Sequence, residues 1–221
     1  MKKLFILLSL WGAVLTVQAQ NTIESIRKAY QSENEYIAMM CDSFPSEGIP
    51  AEYYHLHVAQ NLPATGPHTE DIRMFYNEVE PKNEEEEMVI YKPHYLRFAT
   101  TKYNYAAREF YEEYLFDEKG QVMFVYAINP DVGDELIPYE LRMWFDGKRL
   151  LRFQAKKYAG QPDYIDIAFL RNATFKEEFS GTTIPEKYSR DTDHLLERAK
   201  GLLLMFKNIE NCTFFSEEIN Y

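Results

Sequence analysis

Apolar residues recur at helical spacing near both ends of the chain and alternate at period two in between. Over 22–40, Ile23, Ile26, Tyr30, Ile37 and Met40 fall on one stripe, which predicts an amphipathic helix. Asn21 stands ahead of it as a good N-cap, with Glu24 three residues on in capping-box fashion. Over 192–210, Leu195, Ala199, Leu202, Phe206 and Ile209 repeat at threes and fours, and Leu196 and Leu203 widen the stripe. A face that broad predicts a helix seated on a core.

The intervening pattern is that of strands. Over 53–60, Tyr54, Leu56 and Val58 alternate with His55 and His57, and a second strand is predicted over 72–79. Five more follow at 95–103, 108–116, 121–128, 139–145 and 148–156. Pro45, Gly48 and Pro50 make 43–50 a loop, 61–69 is a turn-rich connection, and Glu84 to Glu87 lie in an acidic loop. The connection over 129–138, with Pro130, Gly133 and Pro138, is expected to cross an end of the sheet. Over 159–185 the pattern defines no element, and 164–170 fits either strand or helix.

Two connections, Glu118-Lys119-Gly120 and Phe145-Asp146-Gly147, place glycine third, as a three-residue hairpin with a bulge requires. Counting outward predicts Phe116 opposite Val122 and Tyr114 opposite Phe124 in the first hairpin. In the second it predicts Leu141 opposite Leu151, Tyr139 opposite Phe153 and Glu140 opposite Arg152. Apolar then meets apolar and a charge pair closes. The fold class that follows is α+β: a twisted antiparallel β-meander, with the N-terminal and C-terminal helices packed on one face.

Ahead of this pattern stands a segment of another kind. Lys2 and Lys3 precede an apolar run over 5–17, and Val17-Gln18-Ala19 fits the small-x-small cleavage rule. Residues 1–19 are therefore expected to be a signal peptide, leaving one domain over 20–221, with Gln20 first and outside the cytoplasm. The apolar run is too short to span a bilayer comfortably, and no later segment is predicted to cross one. Loss of Lys2 and Lys3 takes the formal charge from −11 to −13, which opposes binding to nucleic acid or anionic lipid. With 17 Tyr and 15 Phe, the composition is that of a folded, sheet-rich domain rather than a disordered one. In an oxidising compartment Cys41 and Cys212 are candidates for a disulfide tying the end of the first helix to the end of the last. Such a bridge would close a loop of about 170 residues and contribute up to ~5 kcal/mol.

Candidate chemistry is sparse. His55 and His57 sit two apart on a strand, so both imidazoles project from one face and could hold Zn²⁺ with His94, His68 or a Glu as a third ligand. That would support a metal-dependent or carboxylate-based hydrolase. There is no G-x-S-x-G nucleophile and no cofactor motif, and Glu112 and Glu113, being adjacent, point to opposite faces. The strand pairing suggests a different surface. Opposite Tyr139, Leu141 and Met143, one sheet face would carry Glu140, Arg142, Trp144, Lys148 and Arg152. Trp and Arg among charges is the composition of recognition surfaces.

The runs Tyr114-Leu115-Phe116-Asp117-Glu118-Lys119-Gly120-Gln121-Val122 and Met143-Trp144-Phe145-Asp146-Gly147-Lys148, with the later Glu197-Arg198-Ala199-Lys200-Gly201-Leu202, resemble a group of uncharacterised bacterial exported proteins. In that group an aromatic meander precedes a C-terminal helix, and the resemblance implies no activity. The sequence thus points to a non-enzymatic exported domain that binds a macromolecule or a small ligand through its sheet face.

Overall fold

The computed structural model describes residues 21–42, 53–80, 93–132, 137–160 and 166–212, with side chains of the first segment described to residue 39. The expected signal peptide and the acidic Glu84 to Glu87 loop lie outside the described residues. Helix α1 spans Ile23–Asp42. Eight strands follow: β1 Tyr53–Leu62, β2 Gly66–Glu78, β3 His94–Tyr105, β4 Arg108–Phe116, β5 Val122–Ile128, β6 Tyr139–Asp146, β7 Arg149–Tyr158 and β8 Phe175–Gly181. A short helix α2, Ile167–Leu170, interrupts the β7–β8 connection, and helix α3, Glu186–Glu210, closes the described chain. The strands form one antiparallel sheet in sequence order. The α+β meander is therefore present, with one more strand than the pattern predicted.

The expected packing of both helices on one face is corrected by the side chains. Tyr114 and Phe116 join Tyr188, Leu195, Ala199, Leu202 and Phe206 of α3 in one cluster. Leu115, between them, joins Ile26 of α1 with Phe75, Phe98, Met123, Phe124 and Trp144. Successive strand residues face opposite ways, so the helices cover opposite faces. The reason is that the strands are apolar on both sides. Two helices on one face would leave Phe75, Phe98, Leu115, Phe124 and Trp144 in water.

Helix α3 is long enough for its task. Twenty-five residues reach about 37 Å, close to the ~34 Å across eight strands. At its N-terminal end Tyr188 packs on Tyr139 and Phe153, and at the other end Phe206 packs on Tyr54 and Tyr76. Burial of Tyr188 explains why α3 begins six residues before Thr192, where the periodicity placed it.

The first hairpin closes as expected. Gly120 N–H donates to Asp117 O and Asp117 N–H to Gln121 O, both at 2.9 Å, with Gly120 at φ +75° and Phe116 opposite Val122. A bulge at Leu115/Phe116 then sets Leu115 opposite Phe124 and Tyr114 opposite Val125, not Phe124. It turns Met123 and Phe124 both toward α1, which simple counting cannot anticipate.

The second hairpin is corrected further. Asp146 pairs with Arg149, so the turn is the two residues Gly147-Lys148, with Gly147 at φ +60° where a type II′ turn places glycine. Asp146 joins the strand because its carboxylate holds Arg149 at 2.8 Å and accepts from Asn21 N–H at 3.2 Å. After a second bulge Trp144 faces Arg152, Glu140 faces Lys156, Leu141 faces Ala155 and Tyr139 faces Lys157. Glu140 is displaced from its expected partner by four residues. An even slip keeps Tyr139 to Trp144, Arg152 and Phe153 on their predicted faces, while the bulge turns Leu151 from the Leu141 side to the α1 side.

The connection over 129–138 joins neighbouring strands, since β5 pairs with β6. In the unassigned stretch, Asp166 caps α2 by accepting from Phe169 N–H at 2.6 Å. This segment folds back over the α1 side of the sheet, where Ile167 and Leu170 pack on Ile128.

Candidate functional site

On the α1 face the registered pairs line up in rows across the sheet. One row reads Tyr53, Phe75, Phe98, Leu115, Phe124, Trp144, Arg152 and is apolar until its last member. Helix α1 seats Ile26 and Tyr30 on it. The next row reads His55, Arg73, Thr100, Glu113, Tyr126, Arg142, Gln154, Ser180 and is polar on all eight strands. The third reads His57, Asp71, Lys102, Tyr111, Ile128, Glu140, Lys156, Glu177. A polar row across a sheet is costly to cover, because each buried group needs a partner. This one lies alongside α1 instead of beneath its apolar stripe.

A cleft of about 670 Å³ opens where α1 and the polar row meet. Arg27, Tyr30, Gln31, Asn34, Glu35 and Ala38 line it from the helix, and Phe124, Tyr126, Arg142 and Trp144 from β5 and β6. The helix residues repeat at threes and fours, so they form one flank of α1.

Most of the surrounding polar groups are matched. Glu113, 4 % exposed, accepts from the hydroxyl of Tyr30 and from that of Tyr111 at 2.7 Å. Burial, then the Glu113 charge, raises both tyrosines well above their ordinary range, so their hydroxyls stay protonated donors. Glu140 is bracketed by Arg142 Nε and Lys156 Nζ, each 2.9 Å from its Oε1. Tyr126 donates to Glu140 Oε2 at 3.4 Å, and burial followed by Glu140's charge raises that phenol too. Arg142 also lies over the Tyr126 ring, 5.2 Å from its centre.

The predicted surface residues meet different fates. Glu140, Arg142, Trp144 and Arg152 all face the α1 side, as their alternation required. Trp144 is corrected from an exposed platform to a buried residue, 2 % exposed, because α1 and two arginines cover it. Arg27 and Arg152 stand 5.5 and 5.7 Å from its ring centre. Arg152 donates from Nε to Ser180 Oγ at 3.1 Å and does not line the cleft. Lys148 is exposed in the β6–β7 turn, also outside the lining.

Two of the histidines meet and the others do not join them. His55 Nε2 and His57 Nδ1 lie 3.1 and 3.0 Å from Asp71 Oδ1 on the α1 face. The His57 hydrogen bond, ahead of the His55 one, holds Asp71 below its ordinary value. His94 packs at a tilt against Tyr76 and contacts Glu210 at 3.0 Å on the α3 face. His68 is buried against Asn104 O. The proposed trio of His55, His57 and His94 is thus split between faces. Among the described residues no group of three or more His, Cys, Asp or Glu is placed to hold a metal. Glu112 and Glu113 do point to opposite faces, Glu112 toward α3 and Glu113 toward α1.

The disulfide is corrected likewise. Cys212 is an exposed free thiol, and the Cys41 side chain lies outside the described residues. The expected bridge rested on the compartment and the isolated pair, whereas the two helices that carry these cysteines cover opposite faces of the sheet.

Sequence reasoning missed Arg27, Tyr30, Tyr126 and Glu113 as site residues. Tyr30 reads as core from its stripe, and only the placement of α1 beside the polar row reveals the cleft. Among the described residues no helix is long and apolar enough to cross a membrane. No protein-family model, curated protein or solved structure matches the chain.

Proposed function

We propose that this protein is an exported, non-enzymatic binding domain that takes up a small ligand in the cleft between α1 and the polar row of β5 and β6. The volume of about 670 Å³ carries the reading, since small-molecule sites run to roughly 300–1,000 Å³ with apolar walls and a few polar groups. The state of the two buried carboxylates favours binding over catalysis. Glu113 is capped by two tyrosine hydroxyls and Glu140 by two cations. A general acid or base must instead reach the substrate. Export rests on the Lys2-Lys3, apolar and Val17-Gln18-Ala19 pattern, and predicts an N-terminus at Gln20 by intact mass.

The test is a thermal-shift screen of the purified protein against small molecules, with calorimetry on the hits. Ala38 is exposed on the cleft flank, so Ala38→Phe fills the space without touching the core. Binding should be one to one, lost in Ala38→Phe and kept in His57→Ala. A screen with no such ligand, or ligands indifferent to Ala38→Phe, overturns the reading.

A further inference from the structure

The hydrogen-bonding groups of the cleft are unevenly used. Gln31 Nε2 donates to Glu35 Oε1 at 2.7 Å, and Asn34 Nδ2 to Tyr30 O at 2.9 Å. Tyr30 and Tyr126 are committed to Glu113 and Glu140. Two lining cations remain, alongside the Glu35 carboxylate. Arg142 contacts Glu140 through Nε alone, and its Nη atoms have no acceptor among the described residues. Among the described residues Arg27 has no hydrogen-bond or ion-pair partner and lies over the Trp144 ring. Both arginines therefore bring unspent, permanently charged donors to the cleft, Arg27 from α1 and Arg142 from β6.

The charge balance points the same way. Glu140 is already shared between Arg142 and Lys156, and Arg152 adds a third guanidinium on the far side of Trp144. Arg27, Arg142, Arg152 and Lys156 outnumber Glu35, Glu113 and Glu140 here by one, on a chain of formal charge −11. Beside it the walls are Phe124, Trp144, the Tyr126 ring and Ala38.

From this surplus of donors beside apolar walls we infer that the ligand is a small organic anion, an oxyanion group such as a carboxylate or sulfonate on a flat apolar body. The oxyanion sits on Arg142 with Arg27 beside it, and the body lies against Phe124 and Tyr126. Guanidinium suits this role because its planar fork donates two parallel hydrogen bonds to an oxyanion. The inference rests on the cleft being a ligand site, as proposed above.

Two probes sharing one body separate the questions: 8-anilinonaphthalene-1-sulfonate, and its neutral parent N-phenyl-1-naphthylamine, titrated by fluorescence into the purified protein. The sulfonate should bind one to one and roughly tenfold or more tighter than the parent, the size of one charged hydrogen-bonded contact. In Arg27→Gln/Arg142→Gln the sulfonate should fall to the level of the parent, with the parent unchanged. Glu140 keeps Lys156 in that variant, so the fold is retained. Equal binding of both probes, unaffected by the arginine changes but lost in Ala38→Phe, overturns the anion inference and leaves the cleft a ligand site. A sulfonate that does not bind also overturns it. Binding of both probes that survives Ala38→Phe removes the cleft reading itself.

Discussion

Arg198 of α3 places its Nε 2.9 Å from Oε2 of Glu112 on β4, a charge pair joining the long helix to the middle of the sheet. Glu112 is 3 % exposed and also accepts from Thr101, Tyr103 and Tyr114 at 3.0, 2.8 and 2.6 Å. Arg198 further contacts Glu70 and covers the Tyr103 ring at 4.4 Å. Removing one partner strands a buried charge. Arg198→Met should therefore cost about 3–5 kcal/mol in urea denaturation, and Arg198→Met/Glu112→Gln should recover much of it. A single variant within about 1 kcal/mol of the native protein would show that the pair is solvated after all.

Asp191 gives a pH-dependent outcome. It is buried near the start of α3, and burial, ahead of nearby Asp131, raises its pKa above 3.8 while Arg190 and His194 oppose the rise. The folded state then binds this proton more tightly than the unfolded one. Its contribution is most favourable below 3.8 and is lost as pH rises through the folded value. Asp191→Asn should accordingly be more stable than the native chain at neutral pH, and the gain should vanish on acidification. A gain that is flat with pH excludes this origin.

Trp144 separates contact from folding. Its ring fills the space between α1 and the sheet, beside Phe124 at 5.2 Å. Truncating a buried aromatic costs about 3–5 kcal/mol, so Trp144→Ala should unfold at markedly lower urea. Arg152→Gln should cost no more than about 1 kcal/mol. If Trp144→Ala unfolds with the native protein, the packing beneath α1 is not as described.

Two glycines should respond with opposite sign. Gly120 sits at φ +75°, where a side chain is strained, and Gly120→Ala should lose about 1–2 kcal/mol. Gly201 lies within α3, and a Cβ there meets nothing within 4 Å. Gly201→Ala should gain up to ~1 kcal/mol from helix propensity. Thermal melts of the two variants check both. Equal signs would contradict the turn or the helix.

The sequence by itself determined what local spacing encodes. Alternation set the face of each residue from Tyr139 to Trp144, and the stripe from Leu195 to Ile209 marked α3. Glu118-Lys119-Gly120 fixed its own turn, because only glycine enters that conformation freely. Register, helix placement and the cleft belonged to the tertiary structure. Bulges beside Phe116 and Phe145 depend on which side chains find room across a strand pair, and the faces given to α1 and α3 depend on apolar rows assembled from all eight strands. Arg27 and Arg142 lie far apart in the chain, and only the packing of α1 beside the polar row brings them to one cleft.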